Sequence, residues 1–409
     1  MGTKLKFVKK IMRTKTFWFF FYACVSFIIF YFLSNPQTWL SSHRPYYVDI
    51  AHSLLQGKFN IHLQITFDLS EYNGNLYLYF GILPAILFIP FYLLGLRTDI
   101  IFSILILSVM TGIFYILLKT FSEKRKLGIR TIFIHLLTLG FAFGTVNFSL
   151  GMIGQMYHLA QIVGELFLII SILALITSKN KYGIILSGFL ISLSFLSRNT
   201  YFLSLPFFIL YIWAFFPKKR IISILLFLLP FVFAFSFQLF YNYERFGSPL
   251  ETGLKYQMGA DQYKEAQKDL LSQFNIKYLP LNFETMFLKY ITWDQFQKGQ
   301  FDGNGYSIFM TSPFLFLIFP AYYFMIKKER KLLSFALLSP VILAIATLLL
   351  YFGTGFYQFG YRYQTDFLPF VFLGLLYFFN KFKNLTWPIL LLFILSFIIN
   401  IRGYYWRRM

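Results

Sequence analysis

The chain has 409 residues, of which 58% are hydrophobic, 22% are aromatic and only 13% carry charge. A soluble protein of that length needs far more polar surface to cover its core, so this composition excludes one. The net charge of +21 does not make it a nucleic-acid binder, because the basic residues come in short blocks between apolar runs: KLKFVKKIMRTK, KTFSEKRKLGIR, SKNKY, FPKKR, IKKERK and NKFKN. That is the pattern of cytoplasmic loops under the positive-inside bias, where charge sets topology and meets anionic lipid.

The first element in chain order is an apolar run over 17–33 behind a basic N-terminus, which mimics a signal peptide. LSNPQTW after it offers no small-residue cleavage site, so the run is expected to stay as an uncleaved span. It also contains Cys24, the one cysteine, so no intramolecular disulfide is possible. Further runs long enough to cross a hydrocarbon core of roughly 30 Å lie at 100–118, 131–150, 157–177, 183–197, 200–216, 221–240, 308–326, 332–352, 366–380 and 385–400. The expectation is an all-α, multi-pass protein of the cytoplasmic membrane with about 11–12 transmembrane helices, 1–409 forming a single integral membrane domain.

Six basic residues and no acid precede the first span, so the N-terminus is expected in the cytoplasm and 34–80 outside. The block at 119–130, with five basic residues and one acid, should be cytoplasmic again. Only one of 81–96 and 100–118 can then cross. GILPAILFIPFYLLGL (81–96) is short and carries Pro84 and Pro90, so it reads as a re-entrant or juxtamembrane helix on the outer side. The same parity puts 241–307 outside as a long connection, with 308–409 forming the C-terminal spans. The two outer loops hold eleven of the sixteen acids, and acids contribute little to orientation, so their crowding there points to function.

Within the first loop, YYVDIAHSLLQG reads as a short helix. Pro45 suits its first turn, Gly57 its end, and Ser41 or Ser42 its cap. Tyr47, Ile50, Ala51 and Leu54 share one face, while Asp49, His52, Ser53 and Gln56 share the other. Such a helix should lie in the membrane interface with its apolar face down and Asp49 turned toward the cavity under the loops. Asp49 as a solvated surface acid is the plain alternative. Asn73-Gly74 then marks a tight turn, preceded by Asp68 and Glu71.

The order of these features resembles bacterial membrane glycosyltransferases of the GT-C superfamily, including those similar to dolichyl-phosphate-mannose mannosyltransferases. The likeness rests on A-x-x-L-x-x-G ending the outer helix, D-x-x-x-Y-N-G-x-x-Y, L-P-A-x-L-x-x-P, LSFLSRNTYFLSLPFF, YNYERFGSPLETGLKYQ and YQFGYRYQTDFLPF, and it covers about residues 40 to 370. It implies seven initial spans with large outer loops after the first and seventh. It also implies an inverting transfer of a sugar from a polyprenyl-phosphate carrier to an envelope glycan, lipid or protein acceptor, on the outer face. That chemistry needs an acid to take the acceptor proton, cations to hold the departing phosphate and an apolar groove for the tail. Many such enzymes carry an Asp-Glu pair where this chain has His43 and Arg44. Either Asp49 or Asp68 then takes the base role, or activity is altered or lost; the preferred assignment is Asp49 as base with Asp68 as second acid.

Arg198, in LSRNTY, lies between two spans, where an arginine is costly unless it serves a phosphate path or snorkels to water. Arg362 and Asp366 are four residues apart, which fits an ion pair or an Arg362 left to grip the donor phosphate while Tyr363 and its neighbours stack on sugar or tail. His158, Gln161 and Glu165 form a polar arc that faces either a cavity or a neighbouring helix. Glu251, in YERFGSPLETG, can cap the site, grip the acceptor or pack on the first loop. No cofactor is expected. His43, His52, His62 and nearby acids offer metal ligands, but at undiagnostic spacing. A transporter or flippase of lipid-linked saccharides, or an inactive protein of the same fold, are the competing readings. A transporter is expected to show internal repeats, and none is evident.

Overall fold

A computed structural model describes residues 14–34, 45–62, 67–259, 264–269, 271–355, 357–384 and 386–406. The predicted Ser41 or Ser42 cap, His43 and Arg44 lie outside them. The described chain is an all-helical polytopic membrane protein whose strands are β1 (Ser70–Tyr72) and β2 (Asn75–Tyr77).

Six helices are long and apolar enough to cross a bilayer: α1 (Lys15–Leu33), α4 (Asp99–Lys124), α7 (Met156–Thr177), α10 (Arg220–Phe246), α12 (Lys331–Leu350) and α14 (Trp387–Trp406). A bent pair, α5 (Thr131–Phe143) and α6 (Asn147–Ile153), meets at 48° and makes a seventh if taken as one span. By length and composition alone six or seven of the expected 11–12 spans qualify. The remaining predicted spans are helical but short or broken. α8 (Lys181–Ser197) has 17 residues, α9 (Leu205–Phe215) has 11 and α13 (Leu368–Lys381) has 14. The run at 308–326 breaks at Ser312-Pro313, where proline ends one short helix before α11 (Ile318–Lys328) forms.

Hydropathy alone could not separate a lipid-facing span from a buried helix. α13 illustrates this, because every residue from 361 to 379 is buried, making α13 the axis of the main core with Phe114, Phe141 and Phe314 around Phe372. α1, by contrast, buries few residues, Tyr22, Ser26 and Phe30 among them.

The first loop folds onto protein. α2 (Tyr46–Leu55) buries Tyr46, Tyr47, Ile50 and Ala51 in a second core with Leu78, Leu83, Phe88, Leu159 and Val163. Its apolar face therefore rests on the neighbouring helices and not on the bilayer, as the sequence suggested. Gly57 ends it at φ +72°, as expected. Asn73 and Gly74, both at positive φ, close the β1–β2 hairpin. α3 (Leu83–Leu93) has 11 residues, about 16 Å at the α-helical rise, too short to span. Gly81 before it is required by packing, since a Cβ there would sit 2.1 Å from the Leu196 carbonyl oxygen.

Two ends of the bundle are chemically distinct. At one, Arg125 pairs with Glu329, which also accepts from the Tyr377 hydroxyl, and Lys15 pairs with Glu123. Asn380 accepts from the Gly128 amide and from Lys328. Four basic segments thus gather there. The other end carries the acid-rich loops.

Candidate functional site

Three stretches of the loop end interlock. The first loop joins the 241–307 connection through Met258 N–H to the Leu69 carbonyl (2.8 Å) and the Ser70 hydroxyl to the Gly253 carbonyl (2.7 Å). The connection joins the 351–363 stretch through Phe352 N–H to Gln273 O (2.9 Å), Tyr306 N–H to Phe359 O (2.8 Å) and Gln358 N–H to Gly303 O (2.8 Å). Between them lies a cavity of about 1110 Å³ lined by Asp68, Tyr79, Tyr157, Arg198, Gln257, Arg362 and Tyr363, with an apolar flank from Phe202, Leu203, Phe274 and Leu348.

Asp68 enters this wall in a left-handed conformation, φ +62°, one that aspartate tolerates better than most residues. Its carboxylate accepts from the Gln257 amide at 2.9 Å, and the same amide reaches the Tyr79 hydroxyl at 3.1 Å. Gln257 is held in turn by the Gln267 amide (2.6 Å). Burial, with Asp68 close by, pushes the Tyr79 hydroxyl well above its ordinary value, so it stays protonated beside the acid.

The same cavity is lined by Arg362 and Tyr363 of the 3₁₀ turn Arg362–Asp366. Residues three apart eclipse in such a turn, so Arg362 and Asp366, four apart, diverge and do not form the i,i+4 pair. Asp366 is taken instead by Arg198, in a two-pronged bridge (Nε to Oδ1 3.0 Å, Nη2 to Oδ2 3.3 Å). Arg198 also lies over the Tyr363 ring at 4.7 Å. Its charge is therefore compensated, and it supports the turn as well as lining the cavity.

Arg362 is different. It is buried, its guanidinium lies between the rings of Tyr157 (4.3 Å) and Tyr363 (4.7 Å), and no carboxylate among the described residues pairs with it. Nε and Nη2 make only long contacts, 3.4 Å each, to Gly355 O and the Tyr363 hydroxyl, and Nη1 has no hydrogen-bond partner. A buried cation with unused donors on a cavity wall is a ready seat for an anion. The polar arc of α7 supports this turn: the Gln161 amide donates to the Arg362 carbonyl at 3.2 Å.

Of the candidates read from the sequence, the structure brings Asp68, Arg198, Arg362 and Tyr363 to one cavity. Asp49, His158 and Glu251 are not in its lining. Asp49 stands on α2 and accepts the His62 N–H at 2.6 Å. The apolar face of α2 was expected to be lipid-facing and is instead buried in protein. His158 is fully buried in α7, its ring 4.3 Å from that of Tyr157. Glu251 accepts the Gly253 N–H at 2.8 Å and shapes its own turn. Sequence reasoning missed Tyr79, Tyr157 and Gln257. Gln257 closes the quoted GLKYQ motif, and Tyr157 precedes His158, but nothing in their spacing signals a partner a hundred or more residues away. Among the described residues no group of three or more His, Cys, Asp or Glu side chains is arranged to hold a metal. Comparison with family models, curated proteins and solved structures returns no match.

Proposed function

We propose that this protein is a membrane-embedded inverting glycosyltransferase that moves a sugar from a polyprenyl-phosphate carrier to a cell-envelope acceptor on the outer face of the cytoplasmic membrane. The observation that carries the reading is the uncompensated Arg362 guanidinium facing the same cavity as Asp68. Arg362 would hold the carrier phosphate and stabilise it as its charge grows on departure. Asp68, oriented by Gln257, would accept the proton of the acceptor hydroxyl. Tyr157 and Tyr363 offer ring faces to the sugar, and the apolar flank suits an isoprenoid tail. Inversion by direct displacement would require the sugar to sit between Asp68 and Arg362. This assigns Asp68, and not Asp49, as the base.

The test is turnover of purified protein in lipid nanodiscs with a panel of polyprenyl-phosphate sugars. Wild type and Asp49→Asn should consume a donor at similar rates, whereas Asp68→Asn should lose about a hundredfold or more, the scale of a general base. Equal consumption by all three would remove Asp68 from catalysis, and no consumption of any donor by wild type would favour a binding or transport role.

A further inference from the structure

The connection between α10 and the C-terminal helices contains a stretch that exposes many large apolar side chains. The short helix Leu279–Phe283 and the π turn Glu284–Leu288 bury Asn282, Thr285 and Met286 on their inner side. On the outer side Ile276, Leu281, Leu288, Tyr290 and Trp293 are each more than half exposed. So large a run of exposed apolar groups signals a non-aqueous neighbour.

The neighbour is indicated by what the stretch is fastened to. The Asn275 N–H donates to the Leu350 carbonyl at 2.8 Å. The Asn282 side-chain amide donates to Leu349 O (3.1 Å) and Tyr351 O (2.6 Å). These are the last carbonyls of α12, a helix long enough to cross the membrane, whose own Phe335, Ile342 and Leu343 are exposed. The stretch is therefore held beside the point where α12 leaves the hydrocarbon. Tyr278, Tyr290 and Trp293 supply the ring types that collect at that level, and Lys277 lies over the Tyr278 ring at 5.0 Å with its head free to reach headgroups.

We infer that residues 276–293 are seated in the interfacial layer of the bilayer, with Ile276, Leu281 and Leu288 against the acyl boundary and Asn282 and Thr285 against the protein. The connection expected to be wholly outside the membrane then has one stretch inside its surface. Leu271 and Phe274, just before that stretch, line the cavity, so one cavity wall stands at the level of the lipids. The inference is independent of the transfer reading.

Spin labels on the full chain test it. In a Cys24→Ser background, labels at Leu281→Cys and Leu288→Cys are compared with one at Lys255→Cys, an exposed polar position of the same connection, in nanodiscs of phosphatidylethanolamine and phosphatidylglycerol holding one copy each. Labels at 281 and 288 should be several-fold more accessible to oxygen, relative to a water-soluble nickel chelate, than the label at 255. A nickel-accessible label at either position would place the stretch in water. Protection from both reagents would mean that protein covers it. Either result overturns the inference.

Discussion

Arg245 and Arg362 are both buried arginines without an acidic partner among the described residues, and they sit in opposite situations. Arg245, on the last turn of α10, donates to the Tyr241 carbonyl (3.1 Å), the Asn242 side-chain oxygen (2.9 Å) and the Leu78 carbonyl. It is also flanked by the rings of Tyr241 (3.6 Å) and Phe246 (4.8 Å). All three nitrogens are occupied, and the residue does not line the cavity. Arg362 has comparable burial and ring contacts, yet Nη1 is unused and its other side-chain bonds are long. Burial does not distinguish the two arginines; the number of satisfied donors does.

Removing each arginine sharpens the contrast most. Arg245→Ala opens a void and removes its bonds to the Leu78, Tyr241 and Asn242 acceptors, an expected loss of about 3 kcal/mol in unfolding free energy. Arg362→Gln removes an incompletely compensated buried cation, so its unfolding midpoint should stay near wild type, within about 1 kcal/mol. Denaturation in detergent reads both. A large loss for Arg362→Gln would make it a strut as well.

Gln257→Ala is the next largest effect. It deprives Asp68 and Tyr79 of the amide that joins them and leaves the Gln267 amide without its acceptor, about 1–2 kcal/mol in all. Gln257→Glu, which keeps the shape but sets a second carboxyl beside Asp68, should be no better in the same assay. A neutral outcome for both would show that the two loops are held together elsewhere.

The smallest effect is acid sensitivity of the clasp beside the Arg362 turn. Lys289 pairs with Asp302, whose carboxylate also accepts the Asn304 N–H at 2.8 Å. The Asn304 carbonyl receives the Gln358 amide, and the Gln358 side-chain oxygen holds the Arg362 N–H. Burial alone would raise the Asp302 carboxyl, but its hydrogen bonds with Lys289 and Asn304 outweigh this and hold it below the ordinary carboxylate range. The clasp's contribution is therefore complete above the unfolded carboxylate value and is lost as pH falls through the lowered folded one. Since Asp302 is partly solvated, the contribution should stay under ~1 kcal/mol. Comparing Lys289→Met with wild type between neutral and acid pH measures it, and the difference should shrink as pH falls.

Much of the architecture was legible because it follows from local rules. Proline marked the short helix at 83–93, Asn73-Gly74 marked the hairpin, and the basic blocks that gather at one end were read as one side, whereas the break at Pro313 inside the run read as one span, 308–326, was missed. Period and hydropathy could not tell that α13 is sheathed in protein and not in lipid. The same limit misjudged α2, whose apolar face fits a helix core as well as a lipid surface. At the site, arginines in costly positions led to Arg198 and Arg362. Their division of labour depends on a 3₁₀ turn that sends Asp366 to a residue 168 positions away, and pairing at that distance leaves no trace in spacing.

The central claim is that Arg362, without an acidic partner among the described residues, is there to take a lipid phosphate. Equilibrium binding of a polyprenyl phosphate to the protein in nanodiscs tests it directly. The account predicts saturable binding by wild type and by Asp49→Asn, weakened at least tenfold, about 1.4 kcal/mol, by Arg362→Gln. Equal affinity for wild type and Arg362→Gln would contradict it.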